Sequence, residues 1–313
     1  GASLTNNGSM TAVGRAGASF MVAGDTQNSG QIGAAQGPLS LQTSSLTTDA
    51  RSTIASSGDM TVKVEKSIHN TGQISTATGA LRLTAGSLAN YGQGFIGAGG
   101  SLSVSVGEYQ VEAGSALKAE TALTLISTGT VQNSGLISTY ESLTVTAASL
   151  VNSGTMYGAT STTVQADQAV TNIIGQIGSG SGLLSVTAAD LDNGSGKIIA
   201  QSGAIGIVAG SIENRAGVIQ AQGDVVLSAH TLDNRQAGSV QSLGGSLTLG
   251  DGADPMQSLL NQGGVLGGAQ ALRSNTDTYD NDASSQLIST GALSMVMAGT
   301  LDNAGTLSGD KGF

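Results

Sequence analysis

Apolar residues alternate with polar ones in short bursts throughout the chain, as in Leu81-Arg82-Leu83, Leu102-Ser103-Val104-Ser105-Val106, Leu143-Thr144-Val145 and Leu293-Ser294-Met295-Val296-Met297. Period-two alternation puts one set of side chains on each face of an extended segment, so these bursts predict half-buried strands and argue against helix. A second pattern lies between them: an apolar residue, one outward polar residue, an Asn, a Gly-containing turn and a return to an apolar residue. Leu191-Asp192-Asn193-Gly194-Ser195-Gly196-Lys197-Ile198, Leu232-Asp233-Asn234 and Leu301-Asp302-Asn303 are three copies. Single apolar residues after the turn, such as Ile74, Ile137, Met156, Ile177 and Ile219, mark a third short segment.

Aligned on the Asn, the pattern recurs at Asn6, Asn28, Thr48, Asn70, Asn90, Val111, Asn133, Asn152, Asn172, Asn193, Asn214, Asn234, Asn261, Asn281 and Asn303. The steps average about 21 residues, with one of 27. A unit this short cannot bury the inner faces of three strands alone, whereas stacked units bury a continuous apolar column. The sequence therefore predicts an all-β fold, a parallel β-helix (solenoid) of about 15 coils of about 21 residues, forming one repeat domain over residues 1–313. At about 4.8 Å per coil this is a rod on the order of 70 Å long, with strands parallel from coil to coil.

The Asn column is expected to be structural, with Asn133, Asn152, Asn172, Asn193, Asn214 and Asn234 as its clearest run. Asn tolerates left-handed turn geometry, and its amide both donates and accepts, so equivalent side chains can bond between coils. The alternative is an Asn-lined binding stripe. Where the Asn is replaced, at Thr48 and Val111, altered turns are expected, since both are followed by a longer return, to Ile54 and Leu117. The 27-residue step contains Gly250-Asp251-Gly252-Ala253-Asp254-Pro255-Met256-Gln257, which is loop chemistry. A loop insertion near 250–257 is expected there, with Asp251 and Asp254 as candidate binding residues.

Composition fits narrow coils. With 48 Gly, 2 Pro, no Trp, 3% aromatic and 10% charged residues, the interior must be filled by small aliphatic side chains. The 39% hydrophobic content and mean hydropathy of +0.11 are too apolar for a disordered Gly/Ser linker. A net charge of −10 argues against nucleic acid or anionic lipid as partner. There is no Cys, hence no disulfide framework, and no apolar run long enough to insert in a membrane. The N-terminus lacks a basic segment followed by an apolar one, so the chain reads as an excised internal piece.

Asp192, Glu213 and Asp233 precede the Asn on three consecutive units and should form one outward acidic row. Arg215 and Arg235 could neutralise it, giving an ion-paired face; the alternative is a divalent-cation stripe. The acids of Ser274–Asp282 lack the glycine and terminal Glu of a calcium loop. His69 and His230, about eight coils apart, cannot share a metal or a catalytic centre in a straight rod. Gly-x-Gly matches recur with the coil period and precede no helix, so no phosphate loop is predicted. No cofactor, metal or enzymatic activity is expected.

Ser149-Leu150-Val151-Asn152-Ser153-Gly154-Thr155-Met156 and Ser211-Ile212-Glu213-Asn214-Arg215-Ala216-Gly217-Val218-Ile219 resemble the Leu-x-Asn-x-Gly-x-Ile unit of filamentous haemagglutinin-like exoproteins. The resemblance spans essentially the whole chain. It implies a right-handed β-helix, secreted through an outer-membrane transporter of two-partner secretion and held at, or released from, the surface of a Gram-negative bacterium. The function it implies is the shaft of a secreted adhesin, a monomeric rod with a host-cell, bacterial-receptor or glycan partner. The alternative is a receptor- or carbohydrate-binding stalk segment of a contact-dependent growth inhibition toxin protein.

Overall fold

A computed structural model describes residues 2–250 and 255–311. The described residues contain no helix. Parallel strands about 21 residues apart in sequence form a β-solenoid of about 14 turns. The expected solenoid of about 15 coils is borne out to within one turn, since fifteen register positions bound fourteen intervals. The chain divides into two compact units, residues 1–150 with 154–158, and residues 151–153 with 159–313.

In the first unit, a sheet of short strands is built from Ser9–Ala12, Gln31–Ala34, Thr53–Ser56, Gln73–Thr76, Phe95–Ala98, Ala116–Ala119, Leu136–Thr139 and Thr155–Gly158. All pair in parallel, residue on equivalent residue. The inward column Ile54, Ile74, Ile96, Leu117, Ile137, Met156 is 0% exposed throughout. The rest of each coil carries the longer alternations. In Leu81–Asn90 the buried residues are Leu81, Leu83 and Ala85, then Leu88 and Asn90. The period slips by one at Gly86-Ser87, where the strand turns a corner without breaking.

The second unit repeats the arrangement. Its short strands run from Gln176–Ser179 through Lys197–Ala200, Val218–Ala221, Ser239–Ser242, Val265–Gly268 and Gln286–Ser289 to Thr306–Gly309. Ile177, Ile198, Ile219, Val240, Leu266 and Leu287 form the matching buried column. The 27-residue step does not disturb the register: Leu227 pairs with Leu249 before it, and Leu232 with Leu259 after it. Gly250 ends the preceding strand with a left-handed φ of 69°. Asp251 and Asp254 lie outside the described residues.

Turn length sorts the coils. The buried apolar residue returns four positions after Asn70 and Asn133, five after Asn193 and Asn214, and six after Asn90, Asn234 and Asn281. The six-residue returns also follow Thr48 and Val111, and three of these turns share a buried Ser. Ser52, Ser115 and Ser285 donate their backbone N–H to the carbonyls of Asp49, Glu112 and Asp282 at 2.9, 3.1 and 3.0 Å. The acid-x-x-Ser spacing at 49–52, 112–115 and 282–285 is the sequence sign of this turn.

The five-residue turns need one left-handed residue two positions after the Asn. Ile174, Ser195, Ala216 and Gly263 take it, with φ of 56°, 56°, 55° and 71°. A β-branched side chain is the worst of these occupants, and Ile174 gains little from packing because it is 72% exposed. Ile174→Gly should therefore stabilise its coil by about 1 kcal/mol: relief of a 1–2 kcal/mol backbone penalty outweighs the added freedom of the unfolded chain. Slower hydrogen exchange in residues 170–180 would show it, and faster exchange would contradict it.

Candidate functional site

The register positions converge on an interior column of amides. Alternation puts the Asn two residues after a buried residue, a Leu, Ile or Val in all of these except Asn28, which follows Thr26, hence on the same inward face, and Asn28, Asn70, Asn90, Asn172, Asn193, Asn214, Asn234 and Asn261 are 0% exposed. In the second unit Asn152 Nδ2 donates to Asn172 Oδ1 at 2.7 Å, and the series continues through Asn193, Asn214, Asn234, Asn261 and Asn281 to Asn303 at 2.6–3.0 Å. The same nitrogens also donate to main-chain carbonyls, such as Asn193 to Val218 and Asn214 to Ser239 at 3.3 and 3.2 Å. Buried amides bonded this fully present nothing to a surface ligand.

The Asn residues do not themselves adopt the left-handed conformation that the sequence suggests for them. The left-handed residues come two or three places later. The cause is geometric: the Asn must stay in strand conformation to aim its amide along the column, so the reversal passes to its successors. In the five-residue turns after Asn193 and Asn214, the N–H of Gly196 and Gly217 closes back onto the Asn carbonyl at 3.0 and 3.1 Å. A Cβ at Gly217 would sit 2.5 Å from Asn214 Oδ1 and 2.9 Å from Asn193 Nδ2, which explains the Gly of the repeat.

In the first unit the column is interrupted twice. Asn6 donates to Asn28 and Asn70 to Asn90, each at 2.7 Å. Thr48 fills its rung with a hydroxyl that donates to Asn70 Oδ1 at 2.5 Å. Val111 offers no polar atom, and Asn90 Nδ2 turns to the carbonyls of Gly94 and Ala116 at 2.9 and 3.1 Å. Two residues before Val111, the buried Tyr109 hydroxyl has no hydrogen-bond partner. Tyr279 holds the equivalent place before Asn281, and its hydroxyl donates to Asn281 Oδ1 at 2.9 Å. Burial raises the pKa of both phenols. A Tyr at a repeat position otherwise held by aliphatic residues and Thr26 is the signal that would have drawn attention to both.

The acidic row is continuous in register, Asp192 beside Glu213 and Glu213 beside Asp233. Its members differ sharply. Asp192 Oδ1 accepts from the Gly194 N–H at 2.8 Å, and Glu213 is exposed. Asp233, 8% exposed, is gripped from both sides: Arg215 Nη2 and Arg235 Nη2 lie 2.6 and 2.7 Å from Oδ2, and Arg235 Nε lies 2.9 Å from Oδ1. Burial works against ionisation of Asp233, but the hydrogen bonds from Arg235 and Arg215 outweigh it and bring the carboxyl down to about 2. Two guanidinium groups thus stand where a cation would be needed, and among the described residues no cluster of His, Asp or Glu is arranged to hold a metal. Asp280 accepts from Gln262, and Asp282 is lowered to about 2, chiefly by the Ser285 hydroxyl and the Gly263 N–H.

The depressed pKa of Asp233 sets a pH signature. Its contribution is fully present above the unfolded carboxyl pKa of about 3.9 and is lost as pH falls through about 2. Both arginines are over a third exposed, so solvent screening limits it to about 1 kcal/mol. Asp233→Asn should therefore lower the thermal midpoint at pH 5–7, and the difference from the parent should close by about pH 2. A difference that stays constant with pH would show that the charge is not responsible.

No curated protein and no solved structure matches the chain. The haemagglutinin repeat matches it six times, over residues 34–90, 76–135, 97–173, 138–193, 179–252 and 265–313. These matches tile the solenoid coils, and proteins built on this repeat are typically structural, and secreted or surface-associated. The chain belongs to the haemagglutinin repeat family of filamentous haemagglutinin-like proteins.

Proposed function

We propose that the chain is a shaft segment of a secreted bacterial surface adhesin of the filamentous haemagglutinin type, exported through an outer-membrane transporter of two-partner secretion. It contributes reach and lateral surface, and it carries out no reaction of its own. The observation that carries this reading is the in-register stacking within each unit, with returns of only four to six residues that leave the sides of the coils low. Local coil-on-coil contacts suit a chain that folds progressively as it emerges from a transporter. The departure near 250–257 and the row Asp192, Glu213, Asp233 remain places where a receptor could be met.

Small-angle scattering of the purified chain tests the shaft reading: an elongated, monomeric profile is expected, and a compact one would overturn it. Binding to whole host cells, with and without residues 250–257, tests adhesion. Binding confined to bacterial cells would instead favour the stalk of a contact-dependent growth inhibition protein.

A further inference from the structure

The sequence Asn-Gly-Ser occurs twice in the chain, at residues 7–9 and 193–195. A glycine after Asn leaves its main-chain nitrogen unshielded and the backbone free to bring that nitrogen onto the Asn Cγ, so this pair closes on itself more readily than others. The fold places its two copies in opposite circumstances. Asn193 is a rung of the column and 0% exposed. Its Oδ1 accepts from Asn172 and its Nδ2 donates to Asn214 Oδ1, both at 2.7 Å, while the Gly194 N–H donates to Asp192 Oδ1 at 2.8 Å. The two groups that would react are each committed to other partners. Asn7 stands one place after its rung, between the strands Leu4–Asn6 and Ser9–Ala12. Both Asn7 and Gly8 are exposed, and no hydrogen bond joins the Asn7 amide to any described residue. The Gly8 N–H makes only a 3.2 Å bond to Asn6 Oδ1, and a Cβ added at Gly8 would meet nothing within 4 Å. Space for a five-membered ring is open on that side.

We propose that Asn7 is a site of spontaneous covalent modification, at which its side-chain amide is lost and the residue becomes aspartate or isoaspartate. The Gly8 main-chain nitrogen gives up its proton to water and attacks Asn7 Cγ. A new N–Cγ bond replaces the Cγ–Nδ2 bond, and Nδ2 leaves as ammonia. Water then opens the cyclic imide: cleavage of the N–Cγ bond leaves aspartate, and cleavage of the bond from the same nitrogen to the Asn7 main-chain carbonyl leaves isoaspartate. Overall one water is consumed, one ammonia is released and nothing is oxidised or reduced. Either product adds one negative charge to a chain already at −10. Isoaspartate also inserts a methylene into the main chain just before Gly8. The Gly8 carbonyl accepts from the Gln31 N–H at 2.7 Å, and Ser9 stands in register with Gln31. The insertion therefore pushes Ser9–Ala12 out of register with Gln31–Ala34 and pulls on the Asn6 rung, 2.7 Å from Asn28. This one coil is marked with age, while the buried amides of the column are spared.

Incubating the folded chain in neutral buffer at physiological temperature tests it, with peptide mapping by mass spectrometry for amide loss and a protein-isoaspartate methyltransferase assay for isoaspartate. Asn7 is expected to convert to both products. Asn193 should convert more slowly by about 10²-fold or more, because a misplacement of about 1 Å costs a reacting pair that much. In guanidinium chloride, where only the shared sequence remains, the two sites should convert at similar rates. Gly8→Ala, which the open space around Gly8 accommodates, should slow Asn7 by about tenfold or more by hindering the attacking nitrogen, with an unchanged circular dichroism spectrum. An Asn7 that survives in the folded chain but converts in denaturant would overturn the proposal, as would an Asn193 that converts as fast as Asn7 in the folded chain, or a folded Gly8→Ala variant that converts at the parent rate. Should that variant fail to fold, the contrast between Asn7 and Asn193 in the parent chain still decides.

Discussion

Asn214→Leu is expected to destabilise the coils around it by about 3–5 kcal/mol, although Leu is close in volume and the site is fully buried. The change removes the acceptor of Asn193 Nδ2 and the donor to Asn234 Oδ1, which lie 2.7 and 2.8 Å from the lost amide. It also strips a donor from the Gly217 and Ser239 carbonyls. Each buried polar group left without a partner costs about 1–3 kcal/mol. Asn193 keeps its bonds to the Gly196 and Val218 carbonyls, which holds the total below a simple sum. Because repeat arrays need not unfold in one step, the measurement is residue-resolved hydrogen exchange. Protection between residues 193 and 240 should fall by roughly 10²–10³-fold or more, at 1.4 kcal/mol per factor of ten. Coils several turns away should keep theirs. Unchanged protection would mean that the amides are replaceable filler.

Val111→Asn should act in the opposite sense and stabilise the first unit by about 1–3 kcal/mol. Val111 stands in register with Asn90 on one side and Asn133 on the other. An amide there would accept from Asn90 Nδ2, donate towards Asn133, and accept from the Tyr109 hydroxyl as Asn281 does from Tyr279. The Tyr109 hydroxyl, buried without a partner, carries a desolvation cost that this bond would recover. A double-mutant cycle isolates the point. Tyr109→Phe should be neutral or stabilising in the parent chain, but should cost about 1 kcal/mol in the Val111→Asn background. A destabilising Val111→Asn, or a Tyr109→Phe effect indifferent to residue 111, would contradict the pairing.

These two sites show what the sequence conveys and where it stops. The coil period, the strand class and the parallel stacking follow from alternation and from the spacing of the Asn. The inward direction of the Asn also follows from that alternation, since Leu191, Asp192 and Asn193 run in, out, in. Proximity to Gly instead suggests a turn residue, and burial overrides that suggestion. Val111 makes the same point, because a buried aliphatic residue is at home in an interior column and out of place in an exposed turn. The clamp on Asp233 is partly legible, since Arg215 and Arg235 sit two residues after consecutive acids. Which acid they choose is not, because the choice depends on side chains crossing between coils. A stack of His69 on Tyr91, with ring centroids 6.2 Å apart, is less legible still, because one precedes its Asn and the other follows it, and only coil stacking brings them together.

The Asn-to-Asn bonds described above run in one sense, from the Nδ2 of the earlier coil to the Oδ1 of the later one. A finished coil therefore holds out a proton toward its C-terminal side and a lone pair toward the other. Where consecutive rungs are Asn, growth in the order of synthesis meets an arriving acceptor with a donor already fixed in place by its own coil. A coil docking upside down would bring donor to donor, so the column works as a polarity check on assembly, one rung at a time.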